Sequence, residues 1–126
     1  EKIQSYGAEV LMSSHTYRYL TADEVLKIAK TQSERGADII KIVTAADTEE
    51  ELYNNFGTTA RLKNEINKPF LYLCGGNLCK KHRLMAPIIT NDIYLCVVEQ
   101  DEFSTPAQPL LKTAKQIVDL VYGGKI

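Results

Sequence analysis

Lys41 stands inside Gly36-Ala-Asp-Ile-Ile-Lys-Ile-Val43, with Ile39, Ile40, Ile42 and Val43 around it. A charged ammonium is costly to bury in such a run. Desolvation favours the neutral amine of a lysine, and that form attacks carbonyl carbons. A second run, Ala8-Glu-Val-Leu-Met-Ser-Ser-His15, also reads as a strand and ends on a histidine. One strand-plus-helix unit separates His15 from Lys41. A lysine nucleophile beside a histidine base on adjacent strands is the equipment of Schiff-base chemistry. Taken singly, each residue has a plainer reading. Lys41 would snorkel to solvent at a sheet edge, and His15 would bond to backbone at a strand end. It is the pairing that favours catalysis.

The elements that must carry this pair alternate along the chain. Strands are expected at 8–14, 38–43, 69–74 and 92–98. Helices are expected at about 22–35, 48–66, 78–86 and 109–122. Thr21 is placed to cap the first helix, with Asp23 and Glu24 in its first turn and Gly36 closing it. Gly57 and two threonines weaken the middle of the second helix. Pro87 reads as a break after the third, Pro109 as the first residue of the fourth, and Gly123-Gly124 as its stop. Short, nearly continuous apolar strands alternating with helices mean a parallel sheet covered by helices. The fold class is α/β. Four consecutive βα units amount to half of a (β/α)8 TIM barrel, in which chemistry comes from the C-terminal ends of the strands. No glycine-rich nucleotide-binding sequence follows the first strand.

At 126 residues, 1–126 is read as one domain with one core. A net charge of −1 offers nothing to nucleic acid or an anionic membrane. No apolar run approaches the ~20 residues that span a bilayer. Three cysteines, an odd count, point to a reducing, cytoplasmic setting rather than a disulfide framework. Cys74, Cys79, His82 and Cys96 could suggest zinc, but no Cys-x-x-Cys pair exists and no metal is expected. The opening residues Glu1 to Tyr6 read as the last turns of a helix ended by Gly7, as in part of a longer protein.

These residues resemble a known family, type I 3-dehydroquinate dehydratase, over essentially the whole chain and the C-terminal half of that enzyme's barrel. Ser13-Ser14-His15-Thr16-Tyr17 resembles the family's Ser-x-His-Asp-Phe, whose histidine is the general acid/base. Gly36 to Val43 resembles its Schiff-base strand, with Lys41 forming the imine. Ser104-Thr-Pro-Ala-Gln108 resembles its Ser-Ala-Pro-Gly-Gln loop, whose serine and glutamine contact substrate. Arg83 matches the arginine that binds the substrate carboxylate, within His82-Arg83 where the family has Ser-Arg. Leu73-Cys74-Gly75 stands where the family has Ser-Met-Gly.

The resemblance implies dehydration of 3-dehydroquinate to 3-dehydroshikimate, a step of the shikimate pathway, on a small-molecule substrate that is a cyclic hydroxy-keto carboxylate. No metal or organic cofactor is needed. The catalytic residues are His15 and Lys41; Arg83, Ser104 and Gln108 bind substrate. The family's other substrate-binding groups come from its N-terminal half. A homodimer, or association with that missing half, is therefore expected. Two further readings are open. Gly75-Gly76 followed by Lys80 and Lys81 could cradle a phosphate, giving a class I aldolase-like lyase. The chain could also be a non-catalytic half-barrel.

Overall fold

The computed structural model of the protein describes residues 2–90 and 93–123. Glu1, Asn91, Asp92 and residues 124–126 lie outside that description. With them go the first residue of the expected opening turn, the first of the expected fourth strand and the second glycine of the expected helix stop.

Three strands form a parallel sheet in sequence order: β1 (Leu11–His15), β2 (Ile39–Ala45) and β3 (Phe70–Gly75). Helices α1 (Ala22–Glu34) and α2 (Glu49–Glu65) make the crossovers, and α3 (Cys79–Thr90) and α4 (Leu111–Tyr122) follow. The sheet alternates sides with period two. Ile40, Ile42, Phe70 and Tyr72 pack with Val25, Leu26, Ala29 and Leu62 in the main core, and Met12 lies against it. Val43, Leu71 and Leu73 form a second cluster, against which Ile39, Ile93 and Leu95 pack.

Local chemistry fixes the helix starts. Thr21 and Glu24 form a complete capping box on α1, and Thr48 and Glu51 form another on α2. Each cap is worth about 1 kcal/mol, because it satisfies amides that have no partner inside the helix. A short 3-10 turn, Gln4–Tyr6, ends at Gly7 in the left-handed conformation (φ 82°), as the sequence suggested.

Three expectations need correction. Residues 93–98 form no strand; Val97 makes a single isolated bridge to Leu110. The hydrogen bonds of β3 explain part of this. Pro69 and Gly75 accept from β2, through Ile40 N and Ala46 N, so the even-numbered carbonyls of β3 face the other edge. At that edge the Cys74 carbonyl is already taken by Arg83 Nε at 3.1 Å.

Pro87 does not break α3, which continues to Thr90. Interior proline disturbs a helix because it lacks an N–H and crowds the preceding turn. Here the Tyr94 hydroxyl donates to Leu84 O at 2.6 Å and the Tyr122 hydroxyl to Ile88 O at 3.0 Å, while Ala86 and Thr90 are buried. Pro109 is not in α4. Its carbonyl accepts from Val97 N, and Leu111 N donates back to Val97 O, which holds 109–110 extended until the helix begins.

Gly57 sits within an unbroken α2, exposed, with nothing within 4 Å of the Cβ an alanine would add. Gly57→Ala should therefore stabilise the fold by about 0.5–1 kcal/mol. Urea unfolding checks this; an unchanged or lower midpoint would show that the glycine serves a purpose in the helix.

Candidate active site

Ile40 and Ile42 are each 1% exposed on the helix side of the sheet, so Lys41 between them must project to the other side. There it is half-buried, opposite Ser13 of β1 and Leu71 of β3. His15 is opposite Val43, two residues further along. Met12 packs on the helix side, so Leu11, Ser13 and His15 share the face of Lys41. One strand spacing across and two residues along put the His15 and Lys41 Cα atoms about 8 Å apart. Long side chains can meet over that gap. The sequence expectation of a lysine and a histidine on neighbouring strands is thus met on a single face.

His15 lies at an open edge. Val10 O accepts from Ile39 N, and Thr16 N donates to Val43 O. The even-numbered residues flanking and within β1 therefore face β2, and Leu11, Ser13 and His15 turn their backbone groups outward. The imidazole is exposed, with the Tyr17 ring edge-on at 6.4 Å.

Arg83 sits at the C-terminal end of β3, where burial lowers its pKa and its Nε holds the Cys74 carbonyl. Ser104 and Gln108 lie together in the loop before α4. Ser104 Oγ accepts from Asp101 N at 2.7 Å and lies 3.0 Å from Gln100 Oε1; Gln108 Oε1 accepts from Thr105 N at 2.9 Å. Both line a cleft of ≈ 460 Å³ between this loop and α3, along with Lys80, Leu84 and Asp101. His15 and Lys41 do not line that cleft. Nor does Arg83, so the sequence-derived residues fall into three places: His15 and Lys41 on the sheet face, Arg83 at the end of β3, and Ser104 and Gln108 in the cleft.

A buried polar network between β2, β3, α2 and α3 was not foreseen. The Tyr72 hydroxyl donates to Asn55 Oδ1 at 2.7 Å, so its contact with Thr44 Oγ1 at 3.0 Å is one it accepts. Asn55 Nδ2 reaches the Ala45 carbonyl and Cys74 Sγ at 3.3 and 3.4 Å. Burial raises the pKa of Tyr72 and of Cys74. Thr59 Oγ1 donates to Asn55 O and lies 2.9 Å from His82 Nε2, so His82 carries its proton on Nε2. Its Nδ1 is a bare acceptor. The sequence signal was three polar residues, Asn55, Thr58 and Thr59, on the buried face of α2 that also carries Leu52 and Leu62.

The residues of the zinc reading are spoken for differently. Cys74 and His82 belong to this network, and no group of three metal-binding side chains occurs among the described residues. Gly76 (φ 97°) has a packing reason: a Cβ there would stand 2.6 Å from the Ala46 carbonyl oxygen. Lys81 is turned toward Glu49 at 3.8 Å. Neither observation favours a phosphate cradle.

The sequence matches the type I 3-dehydroquinase family over residues 1–125. The chain belongs to that family. It is similar to the 3-dehydroquinate dehydratase of Alkaliphilus oremlandii, with 27% identity over 118 residues, which is 92% of this chain and 46% of that protein. Its fold is similar to that of about half of the Geobacillus kaustophilus 3-dehydroquinate dehydratase (TM-score 0.84, 17% identity, 98% of this chain and 48% of the other). It is likewise similar to that of about half of the type I enzyme from Clostridium difficile, solved with covalently modified comenic acid (TM-score 0.83, 16% identity, 95% and 47%). The chain spans about half the length of these relatives.

Burial pushes the pKa of His82 down from 6.5 to about 4. The unfolded chain takes up a proton on this ring below pH 6.5, the folded chain only near pH 4. Acid therefore favours unfolding across that window, by roughly 3 kcal/mol in full. Urea midpoints from pH 7 to pH 4 should fall for the native sequence and fall less for His82→Gln, which can still donate to Thr59. Equal slopes would mean that His82 is not the group responsible.

Proposed function

We propose that this chain supplies the catalytic half of a Schiff-base dehydratase that converts 3-dehydroquinate to 3-dehydroshikimate, the shikimate-pathway step its family implies. The observation that carries the reading is His15 and Lys41 projecting from neighbouring parallel strands onto one face. Family membership supports it.

Lys41 Nζ attacks the ketone carbon, and loss of water gives a protonated imine. That imine is an electron sink, so the proton on the adjacent carbon becomes acidic. His15 removes it, leaving an enamine. The same imidazolium then protonates the departing hydroxyl. Water hydrolyses the imine and returns the Lys41 amine. Arg83, Ser104 and Gln108 are assigned to substrate recognition, Arg83 by its place at the strand end and the other two by their shared cleft. No step calls for a metal or an organic cofactor.

The fold proposed for the working enzyme is a (β/α)8 barrel of which this chain forms one half. Both edges of its sheet, at β1 and at β3, would then pair with strands from a second half, whether another copy or the N-terminal half that relatives of twice the length contain. Among the described residues no helix is long and apolar enough to cross a membrane, in keeping with a cytoplasmic setting.

Lys41→Ala should abolish borohydride trapping of the substrate imine by the complete enzyme. His15→Ala should leave slow imine formation and lower proton abstraction by ~10²-fold or more. Substantial turnover by Lys41→Ala would sink the mechanism. The 126 residues alone should be nearly inactive and should form dimers or larger species at tens of micromolar. Light scattering from a well-behaved monomer, or robust dehydroshikimate absorbance from such a monomer, would contradict the half-barrel reading.

A further inference from the structure

The helices pack beside one another in chain order. α1 is tied to α2 by Arg61 to Asp23 at 2.8 Å and Lys30 to Glu65 at 3.8 Å, and α4 to α3 by the Tyr122 hydroxyl on Ile88 O. Both ends of this row lack a neighbour. α4 carries a wide apolar arc, yet of its described residues only Ala114 is buried, and Leu111, Leu120 and Val121 are exposed. At the other end a groove of ≈ 340 Å³ lies between β1 and α1, with Met12, Ser14, Ile28, Thr31, Gln32 and Arg35 among its walls. Gln32 is only 5% exposed. Its Nε2 donates to Lys41 O at 3.4 Å, and its Oε1 is buried without a partner, a costly state. Arg35, exposed at the C-terminal end of α1, makes no ion pair among the described residues.

In a barrel with right-handed crossovers each helix covers the seam between its own strand and the next. Beyond residues 93–98 this chain has the helix but no next strand. Before β1 it has the strand and the groove but no helix. We propose that a second copy of this chain docks beside β1 through its α4, laying the apolar arc of that helix into the groove, and that a twofold axis repeats the contact at the other edge. The proposal rests on the half-barrel reading and commits its second half to an identical chain. Each unpartnered surface finds its complement on the same chain, so one contact used twice closes both ends of the row. With 93–98 as a fourth strand in each copy, two copies supply the eight strands of a barrel. Parallel packing of α1 against α4 also brings Arg35 to the last turn of the other copy's helix, where Asp119 and the negative end of the helix dipole lie. The same contact gives β1 the neighbouring strand that His15 lacks.

The test is sedimentation equilibrium of the 126-residue protein, with far-ultraviolet circular dichroism to show that each variant is folded. Leu120→Asp spoils the helix and Thr31→Trp fills the groove; both residues are exposed, so neither change enters the core. The native chain should be a dimer at tens of micromolar, and each variant alone should associate more weakly by roughly tenfold or more. Val121→Asp and Arg35→Glu serve if either variant is not folded. An equimolar mixture of Leu120→Asp and Thr31→Trp should associate more tightly than either alone, because one intact helix and one intact groove remain to form one of the two contacts. A monomeric native chain overturns the proposal. So does a dimer indifferent to Thr31→Trp, which is what two α4 helices packed on each other would give, and so does a mixture no tighter than its components. Borohydride trapping of 3-dehydroquinate on Lys41 reads the chemistry separately. The predicted dimer without trapping would leave this contact standing and remove the dehydratase reading. Trapping by a chain that stays monomeric would do the reverse.

Discussion

The two-residue period of a β-strand is the constraint on which the site depends. Ile40 and Ile42 are driven into the helix-side core because each removes an apolar side chain from water. The pleat then leaves Lys41 no choice of face. A one-residue slip of β2 would put the ammonium into that core and both isoleucines on the other side. Neither outcome is tolerable, so the apolar core sets the register of Lys41. The same logic runs through β1, where Met12 anchors one face and His15 is turned to the other. The shared face of His15 and Lys41 is a by-product of core packing.

That packing alone would leave the strand ends loose, and the ends are where a barrel does its chemistry. The buried network of Thr44, Asn55, Tyr72, Thr59 and His82 ties them down. Asn55 reaches the carbonyl of Ala45, the last residue of β2, and the Cys74 sulfur of β3. Each bond is worth about 1 kcal/mol net, but breaking one strands its partner in a dry site at a cost of about 1–3 kcal/mol. A network of this kind favours one arrangement over near alternatives more than it adds to total stability. The neutral state of His82 belongs to the same economy of charge: no second cation is buried next to Arg83.

Much of this was legible in the sequence. Apolar periodicity placed β1, β2, β3, α1, α2 and α4 within a few residues. The motif around Lys41 and His15 led to the face they share. The family resemblance was also legible, and the family match agrees with it. What was hidden was long-range and polar. Nothing local marks Asn55, Tyr72 and His82 as partners, since Tyr72 stands 17 residues after Asn55 and His82 a further ten. The fourth strand misled because an apolar run such as Ile93 to Val98 states what must be buried, not what it pairs with. Its side chains do find the sheet, through Ile93 and Leu95, while its backbone does not join the ladder. Pro87 misled for the opposite reason: a break that is strong locally is spanned by tertiary contacts, with Ala86 and Thr90 buried and the Tyr94 and Tyr122 hydroxyls tying the helix at Leu84 and Ile88.

The open edge at β1 links fold to function. His15 is exposed, and its backbone N–H and C=O have no ladder partner among the described residues. An unpaired edge residue samples more backbone and rotamer states than a paired one, and each excess state dilutes the geometry in which a base can reach its proton. Lys41 does not share this weakness, because β2 is central and held on both sides. The two halves of the proposed reaction therefore differ in what they need. Imine formation would draw on Lys41, which sits on the rigid central strand. Proton transfer requires a histidine held at an edge, and only a neighbouring strand can hold it there. Under the proposed dehydratase reading, the chain would carry its nucleophile ready and have its base completed by whatever pairs with β1.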